Sequence, residues 1–310
     1  MDQPTLQSLI REVGRGPRSA RNLSREQART LFSAMLDGEI PDLQLGAILM
    51  AMRIKGESID ELAGFLDAAH AICQPLTAPT IDAQQSIPLI IPAYNGARQL
   101  PNLTPLLALL LARQGVPVLI HGLEQDPGRV TTVEIFKALG ISALDQPQSI
   151  TTRLAQDHLA LVNIATLAPK LAHLLSLRYR IGLRSSGHTI VKMLQPFTTN
   201  ALRLVSVTHP DYRQRMRDFF TGHARHALLL RGAEGEVVAH PRREPKIEWL
   251  DGVSTQLWRE DADTTAQLPS ERDAETTAQW IRQALEGKHP IPRAIQHQVQ
   301  CCVQALALCN

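Results

Sequence analysis

The stretch IPLIIPAYNGARQLPNLTPLLALLLARQGVPVLI, residues 87–120, decides the fold class of this chain. It begins with the short apolar run Ile87–Ile91, continues with an apolar segment of helical length from Leu103 to Arg113, and ends on a second short run, Val116–Ile120. Short apolar runs bounded by proline and glycine are typical of buried strands, and the longer segment between them is typical of a helix. The stretch therefore predicts a strand, a helix and a second strand that lies parallel to the first.

The same alternation returns in the second half of the chain. Residues 201–207 and 227–230 have the pattern of strands, and a helix is predicted between them over about 211–220. Repeated units of this kind predict an α/β fold, in which helices cover the faces of a mostly parallel sheet. Ligands of such sheets bind beyond the carboxyl ends of the strands, so one cleft is expected from the loops at 92–104, 121–129, 208–213 and 231–236.

The first 76 residues have a different pattern, that of several short helices. Ser24 with Gln27, and Ser58 with Glu61, have the spacing of capping boxes, and each pair opens a periodic apolar run. The expected division is a helical domain over 1–76, with helices around 170–195 packing on it, and an α/β domain over 77–310.

The run from Leu43 to Ile54 has more apolar residues than one helix needs to cover the core of its own domain. Its apolar members include Leu43, Leu45, Ile48, Leu49, Met52 and Ile54. An apolar surplus on a surface helix often marks a subunit interface. The pattern is equally consistent with a helix buried inside its own domain, so both interpretations stay open.

Composition excludes several classes of protein. With 310 residues, 44% of them apolar, the chain can bury a sizeable core, which excludes disorder. The longest apolar run, Pro105–Ala112, is much shorter than the roughly 20 residues of a membrane-spanning helix, so no membrane partner is expected. Met1–Pro4 lacks the features of a secretory signal, so a cytoplasmic location is expected. The four cysteines lack metal-binding spacing, and no metal site is expected from them.

Net charge is only +2, but the basic residues are concentrated in one region. Residues 170–250 contain 14 basic and 6 acidic side chains, an excess of +8, and 11 of the 14 are arginines. Such residues on a groove neutralise phosphates and release counterions, which gives affinity for nucleic acid without sequence preference. For any single arginine, the alternative is solvation of a surface helix or loop.

Several motifs resemble a known family. The run Gly38–Glu57, continued by Asp60–Phe65, is similar to the N-terminal helical domain of anthranilate phosphoribosyltransferase. The likeness continues in order at Asn102-Leu103-Thr104, Gly115-Val116-Pro117-Val118, His121-Gly122, Gly182-Leu183-Arg184 and Arg231-Gly232. The resemblance implies a small helical domain attached to a larger α/β domain, and a homodimer formed through the helical part. It also implies that Arg184 matches an arginine that contacts the aromatic acid in the enzymes.

The motifs that carry the chemistry of this family are altered. The enzymes bind phosphoribosyl diphosphate on a loop Gly-Thr-Gly-Gly-Asp, because residues without side chains let backbone N–H groups close on a diphosphate. Here the matching turn is Pro92–Arg98, with one glycine, and Tyr94 occupies space that the diphosphate would need. The segment Lys-His-Gly-Asn-Arg becomes Ile120–Glu124, which removes two positive charges and adds a negative one. The Asp-Glu pair that holds magnesium becomes Glu234-Gly235-Glu236.

These departures, together with Ser206–Pro210, resemble a distinct branch of the family, the YbiB type, whose members are regarded as nucleic-acid-binding proteins without sequence specificity. The main hypothesis is therefore a homodimer that binds DNA or RNA without sequence preference, with no catalytic residues and no cofactor. The alternative is a phosphoribosyltransferase with a remodelled substrate loop, which would use magnesium.

The hypothesis assigns candidate residues to two groups. The nucleic-acid-binding group is Arg98, Arg178, Arg180, Arg184, Lys192, Arg203, Arg213 and Arg231. The cleft-lining group is Tyr94, Asn95, Asn102, Thr104, His121, His188 and His209, of which Tyr94 or His209 is expected to touch a base. Two alternatives stay open. His121 and His188 are as consistent with interior histidines as with ligand contacts, and Asn102 with Thr104 can cap the helix that begins near Pro105.

Overall fold

The computed structural model describes residues 2–16, 18–222, 226–252 and 255–309. Contacts between Cα atoms divide the chain into two units. The helical unit comprises Met1–Gln74 and Leu167–Pro196, and the α/β unit comprises Pro75–Thr166 and Phe197–Asn310. Residues close to the middle of the sequence therefore complete a unit that begins at the N-terminus.

The helices, in chain order, are α1 (Gln3–Val13), α2 (Arg25–Leu36), α3 (Asp42–Lys55), α4 (Ile59–Ala71), α5 (Thr104–Arg113), α6 (Thr132–Ala138), α7 (Gln148–Asp157), α8 (Ile164–Leu167), α9 (Pro169–Ser176), α10 (Arg178–Ile181), α11 (Ser186–Ile190), α12 (Pro210–Gly222), α13 (Ala274–Leu285) and α14 (Arg293–Ala307). The strands are β1 (Thr80–Ile81), β2 (Gln84–Gln85), β3 (Leu89–Ala93), β4 (Val118–Gly122), β5 (Leu159–Asn163), β6 (Leu202–Ser206), β7 (Ala227–Leu230), β8 (Lys246–Leu250) and β9 (Thr255–Arg259).

A seven-stranded sheet forms the centre of the α/β unit, with the strand order β5-β4-β3-β6-β7-β8-β9. The strands from β5 to β7 in this order pair in parallel, and β8 and β9 pair antiparallel at one side. The register places Pro92 opposite His121 and Ala93 opposite Gly122, so β3 and β4 end side by side. The predicted α/β fold with a mostly parallel sheet is confirmed.

Four of these strands were predicted from apolar runs. Every residue of β3, β4 and β6 is buried, which explains why most of their residues are apolar. β3 and β4 begin later than the predicted runs, because Pro88 and Pro117 have no N–H group to donate to a neighbouring strand. The patterns missed β5, β8 and β9. β9 is mostly exposed, so it lacks the apolar run that marks a buried strand.

Both predicted capping boxes are present, at the starts of α2 and α4. Glu61, the last member of the second box, is 0% exposed and has further partners. Its carboxylate accepts hydrogen bonds from the N–H groups of Leu23 at 2.9 Å and Ser58 at 2.7 Å, and it pairs with Lys55 Nζ at 2.6 Å. This buried ion pair joins the end of α3 to the first turn of α4.

The apolar run of α3 is divided between the core of its unit and the surface of the single chain. Ile48, Leu49 and Met52 are buried in the helical unit. Leu43 and Ile54 are 87% and 60% exposed in the single chain. One face of α3 therefore packs inside the unit, and another presents large apolar side chains at its surface.

All four cysteines are buried and free. Burial raises the pKa of Cys73, Cys301 and Cys309 to about 12, so these thiols stay protonated at neutral pH and behave as apolar side chains. Within the described residues, no helix has the length and apolar character needed to span a membrane.

Candidate functional site

The carboxyl ends of β3 and β4 are joined by a buried hydrogen bond between two of the predicted cleft residues. Tyr94 follows β3 directly, and its hydroxyl lies 2.5 Å from Nδ1 of His121 in β4. Burial lowers the pKa of His121 to about 3, so the imidazole is neutral and shares one hydrogen bond with the tyrosine hydroxyl at Nδ1. Tyr94 is only 3% exposed and has no free face for a base, which corrects the expected contact of Tyr94 with nucleic acid.

Beside this pair, the loop after β3 donates backbone N–H groups to two carboxylates of the loop after β7. The contacts are Asn95 N and Gly96 N to Glu236 Oε1 at 2.7 and 2.5 Å, and Arg98 N, Gln99 N and Leu100 N to Glu234 at 2.8, 3.0 and 3.3 Å. We call Glu234 and Glu236 the carboxylate clasp. The N–H groups of this loop thus bind negative charges that belong to the same chain.

A tight turn at Glu234 and Gly235 orients the two carboxylates of the clasp toward the loop after β3. Glu234 has a φ of +51°, a left-handed conformation that residues with a side chain rarely adopt, and Gly235 follows with +89°. A Cβ atom at Gly235 would lie 1.8 Å from Asn95 Nδ2, so only glycine fits at this position. Asn95 Nδ2 itself donates to the carbonyl oxygen of Glu234 at 3.3 Å. The turn and the loop are therefore shaped to fit each other.

Glu234 of the clasp is ionised at neutral pH. Burial alone would raise the pKa of Glu234, but its backbone N–H donors and the charge of Arg129 hold the pKa below its ordinary value. Arg129 lies in the loop after β4, and its Nη1 donates to the carbonyl oxygen of Asn95 at 3.1 Å. The loops after β3, β4 and β7 therefore meet at the carboxyl edge of the sheet, where the strand pattern predicted a site.

Little space remains between these loops. The cavity bounded by Leu100, Asn102, Glu234 and Val238 offers about 10 Å³ to a water-sized molecule, which is room for roughly one water. A sugar diphosphate is many times larger. In this conformation the loop has neither the unoccupied N–H groups nor the volume that a diphosphate needs.

Asn102 and Thr104 have the capping role that was one of the two alternatives. Asn102 Oδ1 accepts from the N–H of Thr104 at 3.1 Å at the start of α5. Its Nδ2 donates to Thr132 Oγ1 at 3.0 Å, at the start of α6. Asn102 and Thr104 are 3% and 0% exposed, so the Asn102 amide and the Thr104 N–H are used at the starts of two helices and do not face solvent.

The clasp lies in the segment Glu234-Gly235-Glu236, which the resemblance matches to a magnesium-binding pair. The carboxylate oxygens of Glu234 and Glu236 accept hydrogen bonds from backbone N–H groups. A lone pair that accepts a hydrogen bond cannot also bind a magnesium ion. Among the residues that the structure describes, no group of three or more His, Cys, Asp or Glu side chains is arranged to hold a metal ion.

On the helical unit, three predicted nucleic-acid-binding residues lie around a buried histidine. His188 is 6% exposed, and burial together with the charges of Arg184, Arg178 and Lys192 lowers its pKa to about 3. All three cations are partly exposed. We call Arg178, Arg184 and Lys192 the helical-unit cluster. Because the imidazole is neutral, it adds no fourth positive charge to the cluster.

Three further predicted contacts are engaged within the protein. Arg180 Nη2 pairs with Asp42 Oδ2 at 2.9 Å on the surface of the helical unit. Arg203, in β6, is 7% exposed, and burial lowers its pKa to about 10. Arg213 Nη2 lies 2.6 Å from Oε1 of Glu248, a carboxylate that is buried. The expected nucleic-acid contact of Arg203 is therefore corrected, since a polyanion cannot reach this buried side chain. Arg213 pairs with Glu248 inside the protein.

A second group of cations lies at the carboxyl end of β7. Arg231 follows this strand and is exposed, and a bridge across the turn after it places it opposite His240. Burial and the charges of Arg243, Arg242 and Arg231 lower the pKa of His240. We call Arg231, Arg242 and Arg243 the α/β-unit cluster. The predicted contact Arg231 is thus part of a local concentration of positive charge.

Arg98 and His209 complete the predicted set. Both side chains are exposed in the α/β unit. His209 Nδ1 lies 3.6 Å from Asp211 Oδ2, so a carboxylate offsets any charge that this imidazole acquires. The backbone N–H of Arg98 is held by the clasp, whereas its side chain is directed to the surface.

Comparison with known proteins places this geometry in a family. The helical bundle domain of the glycosyl transferase family matches residues 7–72. The protein YbiB of Escherichia coli (strain K12) is 43% identical over 300 residues, which are 96% of this chain and 93% of YbiB. The chain belongs to the YbiB-type branch of the anthranilate phosphoribosyltransferase-like family. The resemblance predicted from the motifs is confirmed.

Enzymes related to this YbiB-type chain are more distant. The anthranilate phosphoribosyltransferase of Methylorubrum populi is 30% identical over 219 residues, 69% of this chain and 62% of the enzyme. The enzyme of Thermus thermophilus superposes with a TM-score of 0.75 at 20% identity, over 98% of this chain and 88% of that one. The enzyme of Saccharomyces cerevisiae in complex with PRPP and Mg superposes with a TM-score of 0.77 at 13% identity, over 100% of this chain and 90% of that one. The YbiB-type chain therefore has the fold of these enzymes.

The role of Glu234 and Glu236 could not be predicted from the sequence. The segment resembles an altered magnesium site, but its carboxylates bind N–H groups that lie 134 to 141 positions earlier in the chain. No local pattern reveals such a contact, because the parallel sheet alone brings the two loops together. The one available signal is the Glu-Gly-Glu spacing after a strand, which is weak without the structure.

Proposed function

We propose that this YbiB-type protein binds nucleic acid without sequence preference and does not use phosphoribosyl diphosphate. The observation that carries the proposal is the carboxylate clasp, since the N–H groups that a diphosphate would need are donated to Glu234 and Glu236. The same scaffold keeps positive charge in two other places, the helical-unit cluster and the α/β-unit cluster. A cytoplasmic location and independence of any cofactor belong to the same proposal.

The chemistry of the two clusters suits phosphate. Arginine presents a planar fork of N–H groups that can bind two phosphate oxygens at once, and five of the six cluster cations are arginines. In the α/β-unit cluster, the charge of Arg231 contributes to the lowered pKa of Arg243, and a phosphodiester beside the two would relieve this repulsion. Contacts of this kind read no base edge, so they support binding of any sequence.

A homodimer is part of the proposal. Leu43, Ala47, Met50 and Ile54 lie along one stripe of α3 with the 4-3-4 spacing of a coiled-coil seam. Leu43 and Ile54 are the most exposed large apolar side chains of the helical unit, at 87% and 60%. A second copy of the chain would cover this stripe, and two copies would double the cationic clusters available to one polymer. Linked sites raise the overall affinity without any new contact.

Binding is tested by fluorescence anisotropy with labelled single-stranded oligonucleotides of two unrelated sequences. We expect similar affinities for both, and an affinity that falls steeply with salt, with a log–log slope of about −0.7 for each phosphate neutralised. No binding at low salt, or binding that is insensitive to salt, would contradict the proposal.

The helical-unit cluster is tested by changing Arg178, Arg184 and Lys192 together to glutamate. Affinity for both oligonucleotides should fall, and the salt slope should shrink by about 2, because three neutralised phosphates are lost. The matched control changes the exposed Arg11, Arg18 and Arg29 of the same unit to glutamate. If the control loses as much affinity as the cluster variant, net charge alone explains binding and the cluster is not the site.

The second candidate is a phosphoribosyltransferase with a remodelled loop. It is favoured by the similarity of 69% of this chain to the anthranilate phosphoribosyltransferase of Methylorubrum populi. Arg184, which matches an arginine of the enzymes in the resemblance, also favours it. Calorimetric titration with phosphoribosyl diphosphate and magnesium separates the two candidates. Saturable heat, or turnover of anthranilate, would establish the transferase and would require that the clasp opens.

A further inference from the structure

A cleft in the α/β unit has the size of a small-molecule site. It offers about 570 Å³ to water-sized molecules, whereas the cavity beside the carboxylate clasp offers about 10 Å³. Clefts that bind small molecules usually have volumes of about 300–1,000 Å³. Its walls come from one face of α13, from the segment 267–270, and from the side chains of Arg242 and His289. These residues all lie in the α/β unit and outside the clasp.

One wall of the cleft is a single face of α13. The residues of this face are Thr276, Gln279, Trp280 and Gln283. Their spacing of three, one and three positions places them on one side of the helix. Asp273 Oδ1 accepts from the N–H of Thr276 at 2.8 Å and caps the helix where this face begins. The two glutamines lie four positions apart, and their side-chain amides offer the cleft both N–H donors and oxygen acceptors.

Two flat rings form a stacked pair in the same cleft. The ring centroids of Trp280 and His289 are 5.6 Å apart, and their planes differ by only 7°. Trp280 is 6% exposed, whereas His289 is half-buried, so the imidazole is the more accessible ring. Nε2 of His289 donates to Gln283 Oε1 at 2.8 Å, which orients the imidazole. Such a pair gives a surface on which a further planar ring can stack.

Arg242 brings a guanidinium group to the cleft. Its Nε and Nη2 donate to the carbonyl oxygen of Ala266 at 3.1 and 3.0 Å, so the side chain is held next to the segment 267–270. Nη1 takes no part in this contact, and the group therefore keeps N–H donors for an anion. The residues that line the cleft in the described part of the chain include no Asp or Glu. The lining therefore favours a ligand with a negative charge.

We propose that this cleft binds a mononucleotide. The base stacks on the Trp280–His289 pair, its edge is bound by the amides of Gln279 and Gln283, and its phosphate binds Arg242. The three groups match the three properties of such a ligand, because side-chain amides pair with the edges of bases and a guanidinium binds phosphate oxygens. The inference goes beyond the proposed function, since a free nucleotide can occupy the cleft whether or not the protein binds a polymer.

The cleft is tested by calorimetric titration with adenosine monophosphate and uridine monophosphate. We expect saturable binding of both by the wild type. Adenosine, which lacks the phosphate that Arg242 binds, should bind at least about tenfold more weakly. The Gln279→Ala, Gln283→Ala double variant should bind both monophosphates about tenfold more weakly, because it loses two neutral hydrogen bonds that contribute a few-fold each. Adenosine that binds as well as its monophosphate would contradict the assigned phosphate contact.

The matched control removes two exposed glutamines that also lie four positions apart, with Gln296→Ala and Gln300→Ala on α14. It should bind the monophosphates like the wild type. Gln279→Ala alone keeps the contact between Gln283 and His289, and it should weaken binding about threefold. Unchanged urea unfolding midpoints establish that the variants are folded. A wild type that binds neither monophosphate, or a folded double variant that binds them as well as the wild type does, refutes the proposal.

A nucleotide of a bound strand offers the same chemistry as a free one, and two labelled oligonucleotides of equal length distinguish these sources. One has bases and the other is abasic. If strand nucleotides enter the cleft, the abasic strand should bind the wild type more weakly, and the Gln279→Ala, Gln283→Ala variant should lose that difference. If free nucleotides alone enter it, adenosine monophosphate should leave the affinity for both strands unchanged. The calorimetric titration uses no polymer, so the cleft and the proposed function can each fail independently.

Discussion

Replacing Arg213 by alanine should destabilise the α/β unit and leave nucleic-acid affinity almost unchanged. Arg213 and Arg217, both in α12, clamp the carboxylate of Glu248 in β8. Arg213 contributes Nε at 2.8 Å and Nη2 at 2.6 Å, and Arg217 contributes Nε at 2.7 Å and Nη2 at 3.0 Å. The basic character of Arg213, which suggests a phosphate contact in the sequence, is therefore used to fasten a helix to the sheet.

The magnitude follows from the exposure of the partners. A hydrogen bond to a charged group contributes roughly 1.5–3 kcal/mol. The side chain of Arg213 is 25% exposed, so solvent screens part of its interaction with Glu248. We therefore expect a loss of about 1–2 kcal/mol for Arg213→Ala. Removing Arg217 as well leaves a buried carboxylate without its arginines, and the loss should approach about 3–5 kcal/mol.

The assay is urea unfolding followed by tryptophan fluorescence. Trp249, Trp258 and Trp280 all lie in the α/β unit, so the signal reports on that unit alone. Arg259→Ala, at an exposed position of β9, is the matched control for loss of one cation. An Arg213→Ala protein with an unchanged unfolding midpoint and an oligonucleotide affinity reduced tenfold would refute this argument and restore Arg213 as a nucleic-acid contact.

The clamp also predicts a dependence on pH. Burial alone would raise the pKa of Glu248, but Arg217 and Arg213 outweigh it and hold the pKa below its ordinary value. A carboxylate with a lowered pKa stabilises the folded state above its unfolded pKa, and the stabilisation is lost as the pH falls through the folded value. The difference in unfolding free energy between wild type and Glu248→Gln should therefore be constant near neutrality and shrink below about pH 4.

Three further predictions concern other parts of the chain. Glu61→Ala leaves the buried Lys55 without its partner and should cost about 3–5 kcal/mol in the helical unit, measured by circular dichroism during urea unfolding; a loss below about 1 kcal/mol would contradict it. Gly235→Ala should lower the melting temperature, since its Cβ would meet Asn95, and an unchanged melting curve would show that the turn relaxes freely. His188, with a folded pKa of about 3, should make unfolding easier as pH falls below 6.5, by about 1.4 kcal/mol per pH unit, and His188→Gln should remove that dependence.

Local patterns predicted much of the fold because they reflect local physics. The capping boxes at Ser24 and Ser58 form as predicted, since a cap depends on residues three positions apart. The buried strands β3, β4 and β6 were visible because both of their faces are covered, which favours a mainly apolar sequence. β9 was missed because an exposed edge strand has no such requirement.

The candidate site was predicted less well, because the sequence shows that a residue is charged but does not show which group it contacts in the folded protein. Arg203 and Arg231 have the same side chain and both belong to the basic region, but one is 7% exposed inside β6 and the other is exposed after β7. Arg213 differs again, because the antiparallel strand β8 brings Glu248 beneath it. Such assignments depend on which strands become neighbours, and that is a long-range property.

By itself, the sequence determined the α/β class, the helical N-terminal region, the family and the loss of the glycine-rich diphosphate loop. Each of these depends on residues that are close together in the chain. Only the tertiary structure decided what replaced the lost loop. Asn95 and Glu236 are 141 positions apart, and a parallel sheet that aligns the ends of β3 and β7 brings the carboxylate to the backbone N–H groups of the loop after β3.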